Sequence, residues 1–222
     1  LDENDMALAN HTFAGWNTEA DGSGTAYAAT NTFSKPAAAM VHYAQWTDDG
    51  KYPVTYSANG GTGTQTDTNS PYYAGATVTV LDENDMALAN HTFTGWNTEA
   101  DGSGTAYAAT NTFSMPAAAM VLYAQWTEDD KYPVTYDANG GTGSQTDTNS
   151  PYYAGATVTV LDENDMALAN HTFAGWNTEA DGSGTAYAAT NTFSMPAAAM
   201  VLYAQWTEDG KYPVTYSANG GT

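Results

Sequence analysis

Residues 91–107 read HTFTGWNTEADGSGTAY, and this stretch decides the fold. Over residues 91–98 bulky side chains alternate with small or polar ones, which predicts a β-strand with Trp96 on one face and Phe93 on the other. The Gly-rich segment 100–104 then predicts a tight turn, because glycine adopts the backbone angles that such turns require. The block therefore predicts a strand that runs into a turn.

The same block occurs three times in the chain. The motif LDENDMALANHTF begins at Leu1, Leu81 and Leu161, which gives a period of 80 residues. Residues 1–62 differ from residues 81–142 at only a few positions, and near-identity of this kind predicts a tandem array whose length matters. The changes are Ala14 to Thr94, Lys35 to Met115, His42 to Leu122, Asp48 to Glu128, Gly50 to Asp130 and Ser57 to Asp137.

An acidic, proline-terminated segment separates the copies. The first example is WTDDGKYP at residues 46–53, which lies between two strand-like runs and so predicts a linker. The predicted domains are a partial module at 1–46, complete modules at 52–126 and 132–206, and a partial module at 212–222. The sequence leaves open whether the partial modules belong to a continuous array or are completed by neighbouring chains through strand addition.

One complete module is predicted to be mainly β, in an α+β class. Four runs have strand-like alternation: 52–56, 71–81, 91–98 and 120–126. Residues 82–85, with the sequence DEND, could cap a short helical segment at 86–89, because Asp and Asn supply N-cap oxygens and carboxylates favour a helix N-terminus. The predicted architecture is a tandem row of modules of about four strands and one helical turn, arranged like beads on a string.

Composition excludes several functional classes. The net charge is −21, from 25 acidic residues against four lysines, so nucleic acid and anionic lipid are disfavoured as partners. The hydrophobic content of 42% is too high for a disordered polyelectrolyte, and the absence of cysteine excludes disulfides. No apolar run approaches the ~20 residues of a membrane-spanning helix. Because the chain starts at Leu1 rather than Met, we expect it to be part of a longer or processed polypeptide.

Four blocks together resemble the Listeria–Bacteroides repeat, also known as the InlB B-repeat. They are YPVTYDANGGTG at 132–143, GATVTVL at 155–161, HTFAGWNTEADGSGTAY at 171–187 and FSMPAAAMVLYAQW at 193–206. The resemblance implies a small β-grasp-like module, found in tandem in bacterial and sometimes archaeal surface or secreted proteins, with no catalytic residues. The first copy departs from the pattern, since Lys35 and His42 replace Met and Leu.

Two kinds of side chain could form a binding site instead of supporting the fold. Six tryptophans could stack on sugars, but we assign them to the core, because large aromatics dominate the cores of small β domains. They are Trp16, Trp46, Trp96, Trp126, Trp176 and Trp206. Calcium is a weaker alternative to a hairpin turn at Asn97, Glu99 and Asp101, where the twelfth loop position is Ala108 rather than the Glu that calcium needs. A second weak calcium candidate consists of Glu128, Asp129 and Asp130.

The remaining candidates recur once per copy. We expect His11, His91 and His171 to be hydrogen-bonded strand residues, because a lone histidine without cysteine is a poor metal site. Each lies in an Asn-His-Thr sequon, so the possible glycosylation sites are Asn10, Asn90 and Asn170. The lysines that follow the acidic linkers should form ordinary salt bridges. They are Lys51, Lys131 and Lys211.

The sequence predicts a structural role and not an enzyme. We find no nucleophile paired with a base and no phosphate-binding loop, so no catalytic residue or cofactor is assigned. The leading hypothesis is a structural repeat region of an extracellular or cell-surface protein, acting as a stalk, adhesin spacer or filament subunit. Its partners would be neighbouring repeats, and copies of itself in a fibre. The alternatives are a multivalent module that binds glycan or a host protein, and an accessory region of an enzyme.

Overall fold

The computed structural model describes residues 6–34, 36–211 and 214–217. Lys35 and parts of both predicted partial modules, residues 1–5, 212–213 and 218–222, lie outside this range. The described chain is built from short β-strands and falls into two units, residues 1–127 and 128–222. The prediction of tandem, mainly β modules is therefore confirmed.

The first unit opens with a three-stranded antiparallel sheet. Its strands are β1 (His11–Asn17), β2 (Ala26–Tyr27) and β3 (Tyr43–Asp48), in the order β2-β1-β3. Trp16 on the central strand lies opposite Tyr27 on one side and Ala44 on the other. This sheet is the observed form of the first partial copy.

A complete copy follows in the same unit. Its strands are β4 (Lys51–Tyr52), β5 (Val54–Ser57), β6 (Tyr72–Tyr73), β7 (Thr77–Thr79), β8 (His91–Asn97), β9 (Ala106–Tyr107), β10 (Thr112–Ser114) and β11 (Met120–Glu128). The main sheet has the order β5-β11-β8-β9, and two small ladders, β4-β6 and β7-β10, accompany it. Three of the four predicted strands, 52–56, 91–98 and 120–126, overlap strands of the main sheet, whereas the run 71–81 forms β6 and β7 of the ladders, and β9 was not predicted.

The second unit repeats this plan. Its strands are β12 (Lys131–Tyr132), β13 (Val134–Asp137), β14 (Tyr152–Tyr153), β15 (Thr157–Thr159), β16 (His171–Asn177), β17 (Ala186–Tyr187), β18 (Thr192–Ser194) and β19 (Met200–Glu208). The main sheet is β13-β19-β16-β17, with ladders β12-β14 and β15-β18. The same sequence therefore gives the same topology twice.

Within the main sheet of a copy, the first strand in chain order, β5, pairs in parallel with the last strand, β11. Val54 of β5 lies opposite Met120 of β11, and Tyr56 lies opposite Leu122. The ladder begins where the Met120 N–H donates to the Pro53 carbonyl at 2.9 Å. On the outer side of β5, the Ser70 hydroxyl accepts a hydrogen bond from the Val54 N–H at 3.0 Å and lies 3.3 Å from the Val54 carbonyl. This pairing closes the copy, and Ser70 covers part of its edge.

Each complete copy has its own aromatic and aliphatic core. In the first, the rings of Tyr56, Trp96, Phe93 and Trp126 follow one another edge to face, with centroids 4.7, 5.1 and 5.5 Å apart. Burial of each large side chain contributes about 1.5–3 kcal/mol, which suits a module with so few residues. The buried apolar side chains are Val54, Val78, Val80, Met86, Trp96, Met115, Leu122 and Ala124.

The predicted helical segment at 86–89 is wrong. Ala87 instead forms an isolated β-bridge with Thr62, and Met86 is buried in the core. The acidic residues before it bind a loop rather than cap a helix, since the Asp85 carboxylate accepts the Thr64 N–H at 2.7 Å. No helix occurs in the described residues, so the β-grasp-like description is not confirmed and none of these residues forms a bilayer-spanning helix.

Two glycines with similar backbone angles allow a test of this loop. Gly63 has φ +83° and a Cβ there would lie 2.3 Å from the Asp85 carbonyl oxygen, whereas Gly75 has φ +81° and open space around it. Gly75→Ala should lower the free energy of unfolding by about 1–2 kcal/mol from backbone strain alone. Gly63→Ala should lower the free energy of unfolding by about 1–3 kcal/mol more than Gly75→Ala does, because the backbone of the loop must move to make room for the new methyl group.

Both changes are made in both complete copies, at Gly63 with Gly143 and at Gly75 with Gly155, because the two copies share these geometries. Urea unfolding followed by circular dichroism measures the effect. Equal losses for the two pairs would contradict the close contact between residue 63 and the acidic loop.

Candidate functional site

The candidate site is the joint between one copy and the next, residues 48–53 and their counterparts 128–133. Strand β3 continues to Asp48 and β4 begins at Lys51, so two residues separate the strands. The division into modules at 46 and 52 stays a prediction, although the segment between these positions is largely strand.

Two hydrogen bonds fix the first residue after β3. The Asp49 N–H donates to the Asn10 carbonyl at 2.9 Å, and the Thr12 hydroxyl donates to the Asp49 carboxylate at 2.6 Å. Asp209 makes the same contacts with Asn170 and Thr172 in the second unit, at 2.8 and 2.7 Å. The acidic residue of this short connection is therefore held against the start of β1 or β16.

A tyrosine then connects the joint to the following copy. The Tyr73 hydroxyl donates to the Asp48 carboxylate at 2.9 Å, and the Lys51 ammonium lies 4.7 Å from the centroid of the Tyr73 ring. The backbone of Lys51 pairs with Tyr73 in the β4-β6 ladder. The hydrogen bond to the Asp48 carboxylate raises the pKa of Tyr73, because ionised tyrosine could no longer donate it.

The counterpart in the second unit contains a salt bridge. Lys131 lies 3.0 Å from the Glu128 carboxylate, which also accepts a hydrogen bond from Tyr153, and the ammonium lies 4.6 Å from the Tyr153 ring centroid. Glu128 is one methylene longer than Asp48, which brings its carboxylate within reach of the lysine. The bond to Glu128 raises the pKa of Lys131. Lys211 pairs with Glu208 at 3.3 Å, so two of the three predicted lysine salt bridges are present.

The six tryptophans occupy two positions in each copy. In the complete copies, the indole N–H of Trp96 donates to the Leu81 carbonyl and that of Trp126 to the Ala58 carbonyl, each at 2.9 Å. Trp176 and Trp206 repeat these bonds. Trp16, Trp96 and Trp176 are buried, while Trp46, Trp126 and Trp206 are partly buried.

The calcium candidates at Asn97, Glu99 and Asp101 form a hydrogen-bonded turn. The Asn97 side chain donates to the Gly102 carbonyl at 3.0 Å and accepts the Glu99 N–H at 2.9 Å. The Asp101 carboxylate accepts the hydroxyl and the N–H of Ser103, and these bonds lower the pKa of Asp101. The side-chain oxygens of Asn97 and Asp101 thus accept hydrogen bonds from within the loop itself.

The residues of the second calcium candidate do not face a common point but differ in their contacts and exposure. Glu128 binds Lys131 and Tyr153, Asp129 has a partner of its own, and Asp130 is exposed. Within the described ranges, no group of three acidic or histidine side chains is arranged to hold a metal ion.

The sequon asparagines and their histidines lie at a turn before the long strand. Asn90 has φ +59° and is exposed, and Asn10 and Asn170 have nearly the same conformation. The ring nitrogen Nδ1 of His91 lies 2.9 Å from the Ala89 carbonyl. His11 and His171 repeat this contact at 2.8 Å, so all three histidines are hydrogen-bonded at the start of a strand.

Two polar groups inside each module escaped the sequence analysis. Asp67 lies in the polar loop but is buried, and it accepts the Tyr72 hydroxyl at 2.6 Å. Burial, aided by this bond, raises the pKa of Tyr72 to about 12. Asn59 donates to the Ala100 and Ala124 carbonyls, each at 2.8 Å, and so ties the first turn to the hairpin and to β11. The near-exact repetition of the loop, with Ser144 in place of Thr64 as its one change, was the available signal, but repetition does not separate buried from exposed positions.

The first copy differs at two positions that are core in the complete copies. Met115 and Leu122 are fully buried there, and their counterparts are Lys35, outside the described residues, and His42. The His42 ring lies against Phe33 and Tyr27, with centroids 4.9 and 5.3 Å apart, and its Nε2 is buried without a hydrogen bond. The two substitutions noted in the sequence of the first copy therefore lie at positions that belong to the core in the complete copies.

Comparison with known proteins places these copies in context. The model of the Listeria-Bacteroides repeat domain matches residues 2–45, 52–125 and 132–205. A protein of Evansella cellulosilytica named "Putative Gly-rich membrane protein" is 39% identical over 152 residues, which cover 67% of this chain and 17% of that protein. A second one from the same organism, "Putative membrane protein", is 30% identical over 204 residues, covering 90% and 28%. The chain thus spans less than a third of either relative, and no solved structure matches it.

The hydrogen bond from the partly buried Tyr72 to the buried Asp67 predicts a loss of stability in alkali. Because the pKa of Tyr72 rises from 10.0 to about 12 on folding, the folded chain holds this proton more tightly than the unfolded chain. Its contribution is complete below pH 10 and is lost as the pH rises through about 12. Tyr152 has the same environment and the same pKa.

The test compares the chain with a Tyr72→Phe, Tyr152→Phe variant by urea unfolding at several pH values. At neutral pH the variant should be less stable by about 1–3 kcal/mol per copy, since a buried carboxylate loses a donor. The difference should shrink as the pH approaches 12. A constant difference at all pH values would contradict the proposed titration.

Proposed function

Since the chain belongs to the Listeria-Bacteroides repeat family, we propose that it is a structural spacer in an extracellular or cell-surface protein, without catalytic activity. Repetition of one closed module would set the reach of such a spacer. The chain would act as a stalk or as the stem of an adhesin, and the joints would transmit force from one copy to the next.

One observation carries this proposal: the complete copies keep their large apolar side chains inside. Between residues 52 and 206, Val121 is the one exposed large hydrophobic residue, at 37%. The remaining surface is polar and strongly acidic, and like-charged surfaces discourage clumping and keep a protein soluble. A module of this kind adds length to the chain without adding an exposed apolar patch.

The strand order also suits a chain under tension. The joints attach to β5 at its start and to β11 at its end, and these two strands lie side by side in parallel. Pulling the joints apart therefore slides one strand along the other and loads the ladder hydrogen bonds together. An antiparallel pair pulled from adjacent ends would instead open one bond at a time.

A multivalent binding module remains the second candidate. Its support is an open cleft of about 620 Å³ beside β5, lined among others by Tyr56, Thr64, Asp67 and Ser70. Carbonyls, hydroxyls and one aromatic ring in such a cleft are groups that contact sugars. No aromatic side chain is exposed at the repeat spacing in the complete copies, so we rank this function below the spacer.

Single-molecule pulling tests the spacer mechanism on the 222-residue chain held at its two ends. We expect two unfolding events of similar force, each releasing a contour length that matches residues 54–128 or 134–208. Thr55→Pro with Thr135→Pro should lower both forces, because proline removes a ladder donor between the loaded strands.

The matched control places the prolines in the β7-β10 and β15-β18 ladders, as Phe113→Pro with Phe193→Pro, because these residues occupy hydrogen-bonded positions of the ladders. These changes should lower thermal stability but leave the unfolding force much less affected, since those ladders do not join the pulled strands. Equal loss of force in both variants would contradict the shear geometry.

Localisation needs a separate measurement on the organism that makes the protein. Protease treatment of intact cells, followed by detection with an antibody against this chain, should remove the signal while a cytoplasmic marker survives. Protection of the chain until the cells are lysed would refute the extracellular assignment.

A further inference from the structure

The outer side of β5 forms one edge of the main sheet in the first complete copy. On its inner side β5 pairs with β11, where the Met120 N–H donates to the Pro53 carbonyl and the peptide groups of Thr55 point toward β11. Since alternate residues of a strand bond to opposite sides, the N–H and the carbonyl of Tyr56 face away from β11. Neither group has a hydrogen bond to another described residue. An open edge of this kind is a template for pairing with another extended chain.

The cleft of about 620 Å³ lies beside this edge. Residues of β5 and of the loop 63–67 line it, together with Met86 and Ser70. The Ser70 hydroxyl accepts the Val54 N–H at 3.0 Å, so the edge is closed at Val54 and open at Tyr56. Pockets of roughly 300–1,000 Å³ hold small ligands, so this volume suits a few residues of an extended chain rather than a folded domain.

A buried carboxylate without a cation borders the same cleft. Asp67 lines the cleft and is 6% exposed. Its oxygens accept the Tyr72 hydroxyl at 2.6 Å and the Asn69 N–H at 2.9 Å, but no salt bridge reaches it among the described residues. Lys51 also lines the cleft, and its ammonium lies over the Tyr73 ring instead. Because burial removes the water that solvates a charge, an ammonium or guanidinium group is the ligand chemistry that this carboxylate lacks.

We propose that this cleft binds an extended basic segment of a partner protein, which adds to the outer edge of β5 and directs a lysine or arginine side chain at Asp67. The N–H and the carbonyl of Tyr56 supply the main-chain hydrogen bonds, as in other cases of β-strand addition. A peptide suits this edge better than a sugar does, because its own N–H and carbonyl groups recur at the spacing of a strand. The net charge of −21 attracts a basic ligand and speeds its encounter with the chain.

The second complete copy presents the same groups. The Val134 N–H donates to the Ser150 hydroxyl at 3.0 Å, and Asp147 is 7% exposed and accepts the Tyr152 hydroxyl at 2.6 Å. The chain therefore carries two sites 80 residues apart in sequence, and a partner with two basic segments gains avidity from both. The inference deepens the second candidate function by naming its ligand, and it rests on that function. It is independent of the spacer function, so the pulling results stand whether or not a peptide binds.

The first measurement titrates the isotope-labelled 222-residue chain with a short capped peptide of alternating threonine and lysine and records each backbone amide by NMR. We expect shifts and slower hydrogen exchange at the amides of Tyr56 and Tyr136, because the peptide occupies groups that are otherwise open to water. The same peptide with glutamate in place of lysine should leave these amides unchanged. A lysine peptide that shifts neither amide at any concentration would overturn the proposal.

Backbone methylation of the peptide separates strand addition from simple charge attraction. Successive residues of a strand direct their N–H groups to opposite sides, and the lysines fix which face of the peptide lies toward Asp67. Methylating all lysine nitrogens or all threonine nitrogens therefore removes the bond to the Tyr56 carbonyl in one peptide and keeps it in the other. One methylated peptide should lose about tenfold in affinity, and the other should bind like the parent. Equal affinities of the two would contradict strand addition.

Variants of the chain test the charge on the other side of the contact. Asp67→Asn with Asp147→Asn should weaken binding of the lysine peptide about tenfold, whereas Asp101→Asn with Asp181→Asn removes the same charge from exposed hairpins and should leave it unchanged. Circular dichroism verifies that each variant is folded, and the methylated peptides decide the question without any variant. Equal weakening in both variants would overturn the proposal. So would chitotriose, a sugar probe, if it shifted the Tyr56 amide while the lysine peptide did not.

Discussion

The parallel pairing of the first and last strands is the interaction on which each module depends. It joins residues that are 65 positions apart, as in the bond from the Thr55 hydroxyl to the Met120 carbonyl, and it brings Val54 and Tyr56 over the core. Closing so long a loop costs conformational entropy, which burial of the aromatic and aliphatic side chains must offset. Among the described residues of the first copy, β3 pairs with β1, and Met40, Val41 and Tyr43, at or just before the start of β3, are exposed.

The proposed mechanical role rests on the same pairing. Because the pairing partners lie far apart in sequence, nothing in the ladder itself requires both strands to come from one polypeptide. The requirement is a Val-Thr-Tyr segment presented in parallel beside a strand that carries an aromatic core. Within a complete copy the connection supplies that segment at high effective concentration.

Sequence alone predicted the parts of this fold that rest on local patterns. The alternation around Trp96 and through residues 120–126 gave the two long strands, and repetition gave the tandem organisation. The helix predicted at 86–89 does not form. The Asp85 carboxylate accepts a hydrogen bond from a loop that is distant in sequence instead of capping the residues that follow it. Asp67 was missed because acidic residues are usually solvated, and its tyrosine partner is recognised only in the folded loop. Parallel partners could not be assigned, since a period of two identifies a strand but not its neighbour.

Near-identical sequences make it possible for strands of neighbouring copies to pair wrongly during folding. Any first strand fits any last strand of the array, so neighbouring copies could exchange strands while they fold. Three features favour the correct partner. Each first strand is covered by its own loop through a serine hydroxyl, as Ser70 covers Val54. Each copy begins two residues after the preceding strand ends, which leaves little slack for exchange. The acidic surfaces repel one another, so pairing between copies is disfavoured relative to pairing within a copy, where the connection already holds the two strands together.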